Sequence, residues 1–366
     1  MYQLFQHLTV VELASVLAGP SVGQFFAELG AKVIKIENPR TGGDVTRSWK
    51  LPTEAKETTI SAYFSAVNWG KESLRLDLTQ ETALTQLYQL IKESDIVIAS
   101  YKPQDAEKLK VDYKTLRQIN GQLIYGHITG YGVDNPKVGY DAIIQAEAGF
   151  VDMNGTPTGD PVKLPVALMD VLAAHQLKEA LLIALMHRAQ TQEGSYVQVS
   201  LLESAVASLA NQATNWLNAG KLPQRMGSEH PNIVPYGSIF TTLDEQRITL
   251  AVGTDKQFVQ LCKLLSLPNV ATDPLYASNQ QRVKNKATLL PILQGAIQQW
   301  PKEKLLKKLE AARIPAGSVN TLKEVFENND LQEIMLQDKA TVLRGVRQLV
   351  AKFDKGCWTT LSPPPP

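Results

Sequence analysis

The sequence predicts an α/β fold: a parallel sheet covered by helices in a large domain, with a smaller α+β domain after it. Three observations carry this. Short β-branched runs alternate with helical patterns through the first half of the chain. The segment 220–235 then gathers three prolines and two glycines, as a linker would. Beyond it, an alternating run turns on Asp244-Glu245-Gln246 in the manner of a hairpin. A length of 366 residues fits two domains better than one or three.

In chain order, Leu8 to Leu13 reads as a strand, Val22 to Leu29 as a helix closed by Gly30, and Lys32 to Glu37 as a second strand. Ser73 to Leu78 is a third strand and Thr82 to Ile91 a helix. Strands are expected at Asp95 to Ala99 and Leu123 to Ile128, with one helix from Asp105 to Gln118 between them. Gly149 to Lys163 is loop-like, and a long helix is expected over Val171 to Ala189. Ser195 to Ser200 is a strand leading into a helix over Leu201 to Asn218. These boundaries give a Rossmann-like domain at 1–220, a small domain at 225–330, and a segment 331–366 that returns to the first. Thr341 to Phe353 has strand character, and the Pro363 to Pro366 run excludes helix or inner strand. In such sheets, ligands sit at the carboxyl ends of the strands.

Charge and composition exclude several classes. Thirty-seven basic against 36 acidic residues leave a net charge of +1, without the basic surplus of a nucleic-acid binder. Two cysteines, Cys262 and Cys357, are too few for a disulfide framework or a zinc cluster. A reducing cytoplasmic setting, no signal peptide and no membrane span are the expectations.

Motif tests narrow the chemistry. The first turn, Ala18-Gly19-Pro20-Ser21-Val22-Gly23, lacks the glycine spacing of a dinucleotide site, and Pro20 removes an amide. Asn68 to Ser73 holds a Gly-Lys pair without the rest of a phosphate-binding loop. The five histidines show no metal-binding spacing, so no metal is expected. Carboxylates remain. Asp170, flanked by apolar residues at the mouth of a helix, is either a helix cap or a nucleophile in a partly dry pocket. Asp141, after Gly139-Tyr140, is either a cap for a helix starting near Ala142 or part of the same site.

Leu13 to Pro20, Glu28 to Glu37 and Gly43 to Arg47 resemble the opening of the family III CoA-transferases (the CaiB/BaiF type). That group includes formyl-CoA and carnitine CoA-transferases and the related α-methylacyl-CoA racemases. Asn68 to Leu78, Gly139-Tyr140-Asp141, Ser200 to Glu203, His230 to Gly237 and Ile314 to Asn320 extend the likeness over nearly the whole chain. The resemblance implies that Asp170 is the nucleophile, with Tyr140 and Asp141 beside it. It implies acyl-CoA and a small carboxylic acid as substrates, a mixed anhydride on Asp170, and an interlocked homodimer. It places coenzyme A near Leu17, Ala18, Arg40, Leu76, Asp77, Leu78, Ser100, Tyr101, Lys102, Lys108 and Lys137; Leu17, Tyr140, Met169 and Asn232 are the expected lining of the pocket for the acyl group and the acceptor acid.

The chain departs from that pattern in places. Ser100 to Gln104 replaces the usual Asn-Phe-Arg or Asn-Phe-Gly, and Lys108 stands for an arginine. The glycine-rich lid is reduced to Gly227 within Met226 to Asn232, and the given sequence stops at Pro366, where relatives continue past a proline pair, so that segment is either cut off or missing. Two rival readings follow: a racemase, for which Tyr140 stands in the place of a histidine base that His127 or His230 would have to replace, and a CoA-binding protein without turnover.

Overall fold

A computed structural model of the chain describes residues 4–340, 342–354 and 359–366. Cys357 and Thr341 lie outside the described residues. The chain divides into two compact units: 1–150, 163–222 and 331–366 form one, and 151–162 with 223–330 form the other.

The first unit is built on six parallel strands: β1 (Thr9–Leu13), β2 (Lys32–Glu37), β3 (Lys71–Arg75), β4 (Ile96–Ala99), β5 (Ile124–Thr129) and β6 (Ser195–Ser200). Their order is β3-β2-β1-β4-β5-β6, the doubly wound arrangement in which the order reverses between β1 and β4. Most residues of β1, β4 and β5 are buried, as expected of strands covered on both faces. One face is packed by α1 (Ala18–Glu28) and α8 (Leu168–Thr191), through Val22, Phe26, Ala173, Leu177 and Leu181. The other is packed by α3 (Glu81–Lys92), α4 (Pro103–Lys108) and α5 (Tyr113–Ile119), through Leu87, Ile91, Ala106 and Leu116.

Three expected elements differ. The helix read over Asp105 to Gln118 is two helices, α4 and α5. The break follows from Lys110, at φ +56°, and from Asp112, whose carboxylate accepts from Thr115 N and starts α5 anew. The helix over Leu201 to Asn218 is likewise two, α9 (Leu201–Ala207) and α10 (Ala210–Ala219). The third strand lies two residues earlier than Ser73, because register with β2 runs from Lys71 to Arg75.

The second unit holds an antiparallel sheet of β7 (Tyr236–Thr241), β8 (Arg247–Ala251) and β9 (Ala316–Ser318). Helices α11 (Asp255–Leu264), α14 (Lys286–Ile297) and α15 (Lys302–Ala311) bury Phe258, Leu261, Leu293 and Leu305 against it. The segment 151–162, read from sequence as a loop of the large domain, groups here. Asn154 bonds Val162 O, Gly155 O accepts from Gly227 N, and Arg225 donates to Asp152 O.

The C-terminal stretch packs on the first unit. Its strands β10 (Met335–Gln337) and β11 (Arg344–Val346) form a separate hairpin and do not extend the main sheet. The Glu28 carboxylate accepts from Gln348 N and Leu349 N, and Arg47 donates to Pro365 O.

Candidate active site

The loops that leave β1, β4 and β5 enclose a cavity of about 220 Å³ at the point where strand order reverses. Val16 to Gly19 line it from the end of β1, Ser100 to Pro103 from β4, and Thr129, Gly130 and Gly132 from β5. Asp170 and Tyr140 complete the wall. A second cavity of about 290 Å³ shares Ser15, Ser100 and Tyr101 with the first and runs between β1 and β2. Leu76, Leu78, Asn38 and Thr41 line it.

Asp170 is the third residue of α8, and Ala167 takes the cap position without a side-chain bond. The plain capping role is therefore not seen. Among the described residues no donor reaches the Asp170 carboxylate, which is buried yet borders the cavity. Burial, and then the nearby Asp141 carboxylate, push its pKa up from 3.8 to about 7.

Asp141 does not cap its own helix either. It opens α6 (Asp141–Glu147), and its carboxylate accepts from Met169 N at 2.9 Å and from Gln145 Nε2 at 2.7 Å. Asp141 thus satisfies one of the open amides at the start of α8. It fixes the turn that carries Asp170 and also repels that residue's charge.

The amides of Leu17, Ala18 and Gly19 have no acceptor among the described residues, and Pro20 has none to offer. All three residues line the cavity with Asp170. They stand at the start of α1, where the helix dipole favours negative charge. Val16, just before them, has φ +73°, in the left-handed region that a β-branched residue rarely enters.

The other sequence-predicted residues divide in two. Leu17, Ala18, Ser100, Tyr101, Lys102, Lys137 and Tyr140 line the first cavity, and Leu76 and Leu78 the second. Arg40 is exposed beside the second cavity and pairs with Asp77 at 3.7 Å, while Asp77 also accepts from Thr79. Lys108 is exposed and lines neither cavity, and Met169 is fully buried. Asn232 belongs to the second unit. Residue reading alone did not single out Thr129, Asn135 or Tyr63. The Tyr63 hydroxyl has its pKa raised by burial first, then by Asp170 and Asp141. Among the described residues no group of acidic, histidine or cysteine side chains could hold a metal ion. No described helix is long and apolar enough to cross a membrane.

A buried carboxylate beside open helix amides, at the switch point of a doubly wound sheet, agrees with the sequence relationships. The profile of CoA-transferase family III matches residues 5–366. The chain belongs to CoA-transferase family III. A succinate–glutarate CoA-transferase of Agrobacterium fabrum is 38% identical over 351 residues, covering 93% of this chain and 87% of the relative. The human succinyl-CoA:glutarate CoA-transferase is 33% identical over 320 residues, covering 87% and 72%. A crystal structure of a CaiB/BaiF family protein from Brucella suis superposes with a TM-score of 0.86 at 37% identity, over 98% of this chain and 95% of the other. Members of the family use CoA thioesters as substrates.

Proposed function

We propose that this chain moves CoA from an acyl-CoA to a free carboxylic acid through a covalent intermediate on Asp170. The observation that carries the proposal is the desolvated Asp170 carboxylate, without a donor, sharing a cavity with the open amides of Leu17, Ala18 and Gly19. A carboxylate that has lost its hydration is a stronger nucleophile, and the amides are placed to receive the charge that develops on a carbonyl oxygen.

The steps balance without a further reagent. An Asp170 oxygen attacks the thioester carbonyl, the C–S bond breaks, and CoA leaves as thiolate with a mixed anhydride on Asp170. The thiolate attacks the Asp170 carbonyl and releases the donor acid, which leaves an aspartyl thioester. The acceptor carboxylate attacks that thioester and expels the thiolate again. The thiolate then attacks the acceptor carbonyl, which frees Asp170 and the new acyl-CoA. The second cavity, with Leu76, Leu78 and nearby Arg40, is assigned to the nucleotide end of CoA, and Lys102 and Lys137 to its phosphates or to a second carboxylate on the acid. Because two relatives are named for succinate and glutarate, short dicarboxylates are the substrate class adopted. The active unit in this reading is a homodimer. The exposed Ile183 and Met186 of α8 and Leu217 of α10 are the kind of apolar surface that a second copy would cover.

The racemase reading requires a base opposite Asp170. His127 is buried, with Nε2 donating to Tyr101 O at 2.7 Å and Nδ1 accepting from the Tyr196 hydroxyl at 2.9 Å. Neither nitrogen is available, so His127 does not supply that base.

The test is intact-protein mass after mixing with succinyl-CoA, glutaryl-CoA and acetyl-CoA, with and without hydroxylamine. A hydroxylamine-sensitive adduct is expected on the wild type and not on Asp170→Ala. CoA binding without any adduct or acid exchange would point to the non-catalytic reading.

A further inference from the structure

We infer that the buried Asp44–Lys35 pair is a positioning device that holds the 14–17 turn in its strained form, so that the amides of Leu17 to Gly19 face Asp170. The inference rests on the reading of Asp170 as the acylated residue.

Three hydrogen bonds fix the turn from outside. Lys35 Nζ donates to Ala14 O at 2.8 Å, Ser15 N donates to Ser100 Oγ at 3.4 Å, and Val16 N donates to the two Asp44 oxygens at 3.3 and 3.4 Å. Lys35 spends its other donors on Glu12 and Asp44, both at 2.8 Å, so its ammonium is fully occupied. Asp44 is fixed in turn by Thr46 N and Thr46 Oγ1, and its own amide donates to Glu37. Lys35 and Asp44 are almost completely buried; neither lines Asp170's cavity, although both stand at the wall of the second cavity. Burial opposes both charges, but Glu12 and Asp44 outweigh it at Lys35, and Lys35 outweighs it at Asp44. The pair is therefore ionised.

The turn needs this hold because Val16 sits at φ +73°. A valine left to itself returns to negative φ, which swings the following amides away from the direction they now take. Strain at a cavity wall, held by an ion pair that does not touch that cavity, is what a positioning device requires. Asp44 and Lys35 act through the turn and are positioning residues, not catalytic ones.

The experiment measures the rate of adduct formation from succinyl-CoA by rapid quench, and CoA affinity by calorimetry, on full-length protein. Asp44→Asn is expected to slow adduct formation at saturating succinyl-CoA at least 30-fold (on the order of 2 kcal/mol in barrier), read at saturation because Asp44 also lines the second cavity. In a Val16→Gly background the same Asp44→Asn change is expected to cost less than fivefold, because glycine holds φ +73° unaided. Equal losses of the saturating rate in both backgrounds would overturn the inference and leave Asp44 a plain structural residue. If Asp44→Asn does not fold, Val16→Pro interrogates the same turn without disturbing a buried charge. It is expected to slow adduct formation at least 100-fold with CoA still bound, and a wild-type rate there would overturn the inference. Absence of any adduct on the wild type would remove the Asp170 reading and this inference with it. A normal adduct with an unaffected Asp44→Asn removes this inference alone.

Discussion

As the proposed nucleophile, Asp170 combines two requirements that conflict. A nucleophile has to be ionised, and burial with Asp141 nearby holds its pKa up at about 7. The consequence is a pH profile: kcat/KM for acyl transfer should rise through about pH 7 and level off above it, since that ratio reports ionisations of the free enzyme. A profile already flat at pH 5 would show that the free enzyme carries an ordinary carboxylate there. The same displacement affects stability. Between about 4 and 7 the unfolded chain has released this proton and the folded chain has not, so stability falls as pH rises across that window and is flat above it. Asp170→Asn removes the burden. The variant should match wild type near pH 4 and exceed it above pH 7, by at most about 4 kcal/mol for a displacement from 3.8 to about 7. Urea midpoints at pH 4.5 and 8 measure this. A variant less stable than wild type at pH 8 would contradict the burial argument. None of this was legible in the sequence, where apolar neighbours of Asp170 suit a cap as well as a nucleophile. The deciding facts, the absent donor and the nearby Asp141, are contacts across 29 residues.

At the scale of elements, the junction of α6 and α8 sets Asp170's surroundings. Asp141 accepts from Met169 N and Gln145 Nε2, so Asp141→Asn keeps an acceptor for the first bond and loses the negative charge. Stability should fall by about 1 kcal/mol, as for a weakened cap or hydrogen bond. The inflection of the kcat/KM profile should move down, but not to an ordinary carboxylate value, because burial is the larger cause of Asp170's shift. An unmoved inflection in this variant would separate Asp141 from Asp170 electrostatically. The sequence predicts β2 and β6 at their observed bounds: β2 is a buried β-branched run, whereas β6, last in the strand order, alternates half-buried and exposed residues. The single helix expected at 105–118 failed for a local reason that the sequence did contain. Asp112-Tyr113-Lys114-Thr115 is a start signal, and its competition with helix periodicity was decided by a left-handed Lys110. The carboxyl-end location of the site followed from strand order, whereas the left-handed Val16 had no sequence signal, since nothing about valine announces that conformation.

At the scale of the whole first unit, buried charge ties the sheet to its helices. Glu12 on β1 accepts from Lys35 on β2 at 2.8 Å and from Lys71 on β3 at 2.7 Å, and all three side chains are excluded from solvent. Lys71, whose pKa burial lowers to about 8, also bonds Asn68 and Pro20 O, so β3 and the first turn of α1 share the network. Helix α1 passes so close to it that a Cβ added at Gly23 would stand 2.0 Å from Glu12 Oε2. That oxygen cannot retreat, because Lys71 holds it. Helix propensity alone makes Gly→Ala in a helix interior stabilising by about 1 kcal/mol. Here the sign should reverse: Gly23→Ala should destabilise by roughly 1–3 kcal/mol, as overpacked cores do. Glu12→Gln, which leaves buried Lys35 and Lys71 with Asp44 as their one remaining counter-charge in this network, should cost roughly 3–5 kcal/mol. The two effects share one oxygen, so they should not add. In the double variant the neutral amide can turn away from the new methyl, and the Gly23→Ala increment should shrink in a urea double-mutant cycle. Full additivity would mean that the helix shifts as a body and that Glu12 does not fix its distance from the sheet.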